Sequence, residues 1–166
     1  MSILGRDGNI SVIRIGTIAV IIGILVILGG IAFYFIDRAS HQRPFEIDPY
    51  PGATVWFTKT LASNARQVVY RVKGASADDV AAYYQQKLSQ IEGGNADPCL
   101  RFPSVGNYET YNKGGANAGV PYRYSCMFDR SGFQISQFTR VNIEPGIEAN
   151  NSVGMVVIEN EQYWQR

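Results

Sequence analysis

Few residues in this chain are of types and spacings that do chemistry. Cys99 and Cys126 are 27 positions apart. They do not form a C-x-x-C pair, so a redox-active dithiol is not expected. A structural disulfide is the expected pairing if the domain lies in an oxidising compartment. Closing a loop of that length would stabilise the fold by about 3–4 kcal/mol. Two reduced, buried thiols are the alternative. His41 is the only histidine, and a solvated linker position is expected for it. One histidine and two separated cysteines do not make a zinc or haem site, so neither a metal nor a cofactor is expected.

The adjacent carboxylates Asp78 and Asp79 would point about 100° apart on a helix, which is not a paired-carboxylate site. Helix capping accounts for both. The glycine-rich tract Gly114 to Gly119 lacks the Lys-Ser/Thr of a phosphate loop and reads as a mobile loop. Asn150-Asn151-Ser152 is formally a glycosylation sequon. Trp56, Tyr108, Tyr111, Tyr122, Tyr124 and Trp164 could form a recognition surface, since Tyr and Trp favour interfaces, although ordinary strand packing also uses them. No catalytic residues stand out, and the chain is expected not to be an enzyme.

Something must hold these residues in place, and something must locate them. Ile15 to Ile36 is a run of 22 residues without a charge, 14 of them Ile, Leu, Val or Phe. As a helix it would be about 33 Å long, enough to cross a hydrocarbon core of about 30 Å. The run is too long for a signal-peptide core, and Asp37 to His41 offers no cleavage site, so an uncleaved anchor in contact with membrane lipid is expected. Gly16, Ala19, Gly23 and Gly30 fall on one stripe of that helix, where small residues would admit a neighbouring span. Basic residues lie on both sides of the run. The α-amine, the aromatic trio Phe33-Tyr34-Phe35 and the downstream cysteines favour a cytoplasmic N-terminus with the following domain outside.

The expected organisation is a short cytoplasmic segment (1–14), a transmembrane helix (15–36), a proline-rich linker (37–52) and an extracytoplasmic domain (53–166). Residues 44–166 carry 4 Lys and 7 Arg against 5 Asp and 7 Glu, a net charge of −1. A nearly neutral domain has no electrostatic footprint for nucleic acid. Strands are expected at 54–59 and 66–73. A helix is expected from Ala77 to about Ile91, capped by Ser76, with Val80, Tyr84, Leu88 and Ile91 on its apolar face. Residues 95–120 read as irregular. Strands at 122–128, 133–143 and 153–159 complete a β-β-α-β-β-β order. The fold class is therefore a single transmembrane helix plus an α+β domain, an antiparallel sheet covered by one helix.

The segment Pro49 to Leu88, with PYPGA, VVYRVKGAS and DDVAAYYQQKL, resembles small extracytoplasmic domains of bacterial lipoproteins and single-span proteins. The match covers about 40 of 166 residues. The resemblance implies a bacterial envelope location and an α+β fold, and no reaction. The chain departs from the lipoprotein form in lacking a lipid-attachment cysteine. The function expected is a non-catalytic accessory subunit of a larger bacterial membrane complex, partnered by other integral membrane subunits. An electron-transport complex of the respiratory or photosynthetic kind, such as alternative complex III, is one such host. The alternative is a tethered extracytoplasmic domain that binds a small ligand or envelope component.

Overall fold

The computed structural model describes residues 12–108, 120–132, 135–146 and 155–165. The chain divides into two units, one ending at Ser40 and the other running from His41 onward. The first unit holds α1, Val12–Ser40. At 1.5 Å per residue α1 is about 44 Å long. Within it, Arg14–Ser40 is long and apolar enough to cross a membrane. The apolar side chains of this stretch are exposed, including Leu25, Val26 and Ile27. Beyond Ile36 the helix continues for another turn, where Arg38 Nη1 donates to Tyr34 Oη at 3.3 Å.

Among its described residues the second unit contains strands β1 (Thr54–Ala62), β2 (Ala65–Lys73), β3 (Asn95–Phe102), β4 (Arg123–Asp129), β5 (Phe138–Gly146) and β6 (Met155–Tyr163), with α2 (Ala77–Ser89) between β2 and β3. The strands form one antiparallel sheet in the order β1-β2-β6-β5-β4-β3. The α+β class expected from the sequence is therefore present. The irregular reading of residues 95–120 is corrected at its start, where Asn95–Phe102 is the edge strand β3. Pro98 lies inside β3, and the pairing with β4 slips between Asp97 and Leu100. An edge strand tolerates both, because one of its sides has no ladder to maintain. The Cys99 amide, displaced by the slip, donates to Gln85 Oε1 at 2.5 Å.

Helix α2 forms as its sequence dictates. Ser76 Oγ accepts the Asp79 amide at 3.0 Å and donates to Asp79 Oδ2 at 2.7 Å. Val80, Tyr84 and Leu88 are fully buried, and Ile91 packs at the rim of the same core. Each fully buried large side chain is worth about 1.5–3 kcal/mol relative to exposure. The helix packs on β3, β4 and β5. It meets the sheet face that carries Val72, Cys126, Phe128, Val141, Ile143, Val156 and Ile158. The Cys99 and Cys126 sulfurs are bonded at 2.01 Å, tying the β3 edge to this core.

Residues 41–52, whose prolines suggest a linker, are part of this unit and form a strap on the same sheet face. Ile47 is buried, and the Phe45 ring lies 5.2 Å from that of Phe128. Two strap carbonyls receive bonds from buried side chains. Gln137 Nε2 donates to Arg43 O at 2.7 Å, while Thr139 Oγ1 and Gln162 Nε2 donate to Phe45 O at 3.3 and 2.8 Å. Ion pairs Arg66–Glu46 (2.6 Å) and Lys87–Asp48 (2.7 Å) flank it. His41 is buried rather than solvated as expected. Its Nε2 lies 3.2 Å from Arg130 O, and its own carbonyl accepts the Gln165 amide at 3.0 Å.

The turn after α2 leaves no room for a side chain. A Cβ on Gly94 would lie 2.6 Å from Phe128 Cζ and 2.7 Å from Asp129 O. Gly94→Ala should destabilise the full-length protein by about 1–3 kcal/mol, as overpacking against fixed neighbours does. Urea unfolding in detergent checks this. An effect within about 0.5 kcal/mol, as at ordinary surface sites, would show that the turn yields.

Candidate functional site

The strap and α2 cover one face of the sheet, which leaves the opposite face and the two edges as candidate surfaces. On strands every second residue points to the same side. Arg140, Asn142 and Glu144 on β5, Glu159 and Glu161 on β6, and Arg123, Ser125 and Met127 on β4 therefore share the outer face. Together with Asp97, Pro98, Leu100 and Phe102 of β3, most of them line a cleft of about 490 Å³. Arg140 Nη1 sits 3.9 Å from Glu161 Oε2. Burial raises the Glu144 carboxyl above the usual carboxylate range, opposed by Arg123. Glu159 is also raised, first by burial and then by the Glu144 and Glu161 charges, with Arg123 and a bond from Asn142 acting in the other direction. Among the described residues no group of three or more His, Cys, Asp or Glu is placed to hold a metal ion.

The β1 edge is chemically different. All nine of its residues are exposed, and Val55, Trp56, Phe57 and Leu61 are 41–60% accessible. Pairing with β2 slips at two places, beside Trp56 and beside Leu61. The Arg71 guanidinium lies over the Trp56 ring at 3.2 Å from its centroid. Bulges and a central lysine, Lys59, are features that discourage strand addition at an edge. The β1 surface is therefore suited to side-chain contact.

The residues singled out from sequence do not converge on one patch. Tyr122 and Tyr124 meet edge to face, 6.0 Å apart, beside the start of α2. Tyr122 also carries the Arg101 guanidinium at 4.2 Å. The Tyr108 amide donates to Pro121 O at 2.8 Å, which keeps it at the same end of the sheet. Trp164 follows β6 at the opposite end, where its amide and carbonyl bond Asn64 in the β1–β2 turn, both at 3.1 Å. Tyr111, Gly114 to Gly119 and the sequon Asn150 to Ser152 lie outside the described residues. Gly16, Ala19, Gly23 and Gly30 lie on α1, and a Cβ added at any of the three glycines would meet nothing within 4 Å. The cleft charges do not stand out in the sequence: on β5 they alternate with Val141 and Ile143, but on β6 the inner residues Asn160 and Gln162 are polar too.

Comparison with protein-family models, with curated proteins and with solved structures finds no match.

Asp78, assigned from sequence to helix capping, also accepts a short bond from the Tyr124 hydroxyl. That bond is the largest cause pushing the Tyr124 phenol up to about 12, with burial second. The folded value exceeds the unfolded value of about 10, so the neutral phenol stabilises the fold below about pH 10. That contribution is lost as pH rises toward about 12. An ultraviolet difference titration of wild type against Asp78→Asn should show one tyrosine ionising closer to pH 10 in the variant. Superimposable titrations would show that the bond does not hold the proton.

Proposed function

We propose that the chain is a non-catalytic, single-span accessory subunit of a larger bacterial membrane complex. In this reading α1 crosses the plasma membrane with its N-terminus in the cytoplasm, and the α+β domain works outside. The observation that carries the reading is β1, an edge strand that presents Val55, Trp56, Phe57 and Leu61 to solvent. Large exposed apolar groups gathered on one element mark a protein contact more often than an ordinary surface. The stripe of Gly16, Ala19, Gly23 and Gly30 on α1 supports a second contact, span to span, because small residues admit close helix approach. An electron-transport complex, for example of the alternative complex III kind, is one host for such a subunit.

A second reading is favoured by the outer-face cleft of about 490 Å³, which is within the range of small-ligand pockets, about 300–1,000 Å³. There the domain would be a tethered binding module for a small ligand or envelope component.

Mild-detergent purification from native membranes, followed by mass spectrometry, separates the two readings. The first expects integral membrane partners in fixed stoichiometry. It also expects their loss, by tenfold or more, in a Trp56→Ser/Phe57→Ser variant that remains folded. A wild-type chain that elutes alone and folded would contradict it.

A further inference from the structure

We propose that the outer-face cleft binds a primary ammonium carried on an apolar stem, with Glu159 as its counter-charge. The site is separate from the β1 surface, and either can fail without the other.

The argument rests on the ranks of side chains across the sheet. In the central rank Glu159 on β6 pairs with Asn142 on β5, Asn142 with Ser125 on β4, and Ser125 with Leu100 on β3. Asn142 and Ser125 are short, so the middle of this rank is a trough. On one side runs the rank Glu161, Arg140, Met127 and Asp97. On the other side lie Glu144, Arg123 and Phe102. The two guanidinium groups are already committed. Arg140 lies against Glu161, and the field of Arg123 is shared by Glu144 and Glu159. The cross-strand neighbours of Glu159 are Val69 and Asn142, neither of them charged. The lining carries Asp97, Glu159 and Glu161 against Arg123 and Arg140, which leaves one negative charge in excess, and Glu159 is half-buried at one end of the trough.

The other end carries most of the apolar lining, with Asp97 and Arg123 at its margins. Leu100 and Phe102 are 54% and 43% accessible, and Pro98 and Met127 join them in the lining. An occupant with a cation at one end and a hydrocarbon at the other matches this polarity. Its ammonium would donate to the Glu159 carboxylate, and its stem would cover Ser125 and reach the β3 wall. An organic anion would instead meet the excess carboxylates. The Glu159 carboxyl is raised first by burial and then by Glu144 and Glu161, and a cation there would offset the charge repulsion.

The test is calorimetric titration of the full chain in detergent with n-butylammonium, Nα-acetyl-lysine methylamide, n-butanol and butyrate. Saturable binding of one or both amines is expected, with none of the alcohol or the acid. A preference for butylammonium would identify a free amine as the natural occupant. A preference for the lysine amide would identify a partner's lysine side chain. Glu159→Gln should weaken amine binding at least tenfold, and Leu100→Ser by a smaller factor. Glu92→Gln, on an exposed turn, should leave it unchanged. Amine affinity should fall as pH is lowered through the Glu159 titration. Butyrate binding in place of the amines, the absence of saturable amine binding, or equal affinity in Glu159→Gln would each overturn the proposal.

Discussion

The inner face of the sheet is wider than α2 can cover, and the way the remainder is closed governs the rest of the domain. α2 spans 13 residues, about 20 Å, and packs on β3, β4 and β5. The far half of the face is closed by the strap, residues 41–52. A strap without regular structure brings its own backbone carbonyls into the core, and buried carbonyls need donors. Gln137, Thr139 and Gln162 supply them, which explains why buried polar side chains stand among the core residues of β5 and β6. Removing Gln137 would take away the side-chain donor to Arg43 O, whereas Phe45 O would keep one donor if either Thr139 or Gln162 were removed.

Sealing one face in this way leaves the other uncovered. Neither α2 nor the strap lies on the outer face, so Glu144, Glu159 and Glu161 can be held close together there with two arginines among them. Their mutual repulsion adds to the effect of burial in raising the Glu159 carboxyl. The edges follow a different logic. β3 is protected by Pro98 and by the disulfide, whereas β1 keeps its apolar residues exposed behind two bulges. Both edges expose apolar side chains, Leu100 and Phe102 on β3 and Val55, Trp56, Phe57 and Leu61 on β1.

Much of this is legible in the sequence where local periodicity and local chemistry agree. The 3.6-residue repeat of Val80, Tyr84 and Leu88, preceded by Ser76, identifies α2 and its buried face. The alternation of Tyr122, Tyr124, Cys126 and Phe128 identifies the core side of β4, and the disulfide joins cysteines expected to pair. The failures come where tertiary context overrides local signals. Pro98 argues against a strand unless the strand is at an edge, which a single segment does not reveal. The prolines of 44–51 look the same in a free linker and in a docked strap, and His41 is buried only because the strap is. Asn160 and Gln162 are polar on the inner side of β6, which blurs the alternation that would have exposed Glu159 and Glu161 as an outer-face pair. The aromatic residues considered together as an interface are separated because β4 and β6 put Tyr122 and Trp164 at opposite ends of the sheet.

The claim that residues 41–52 are an integral part of the core can be measured directly at Ile47, which is 5% exposed. Urea unfolding of the full chain in detergent, wild type against Ile47→Ala, reads its contribution. Burial in the core predicts a loss of about 2–4 kcal/mol with an unchanged denaturant slope. A loss below about 0.5 kcal/mol, as expected for a solvated linker residue, would contradict the account.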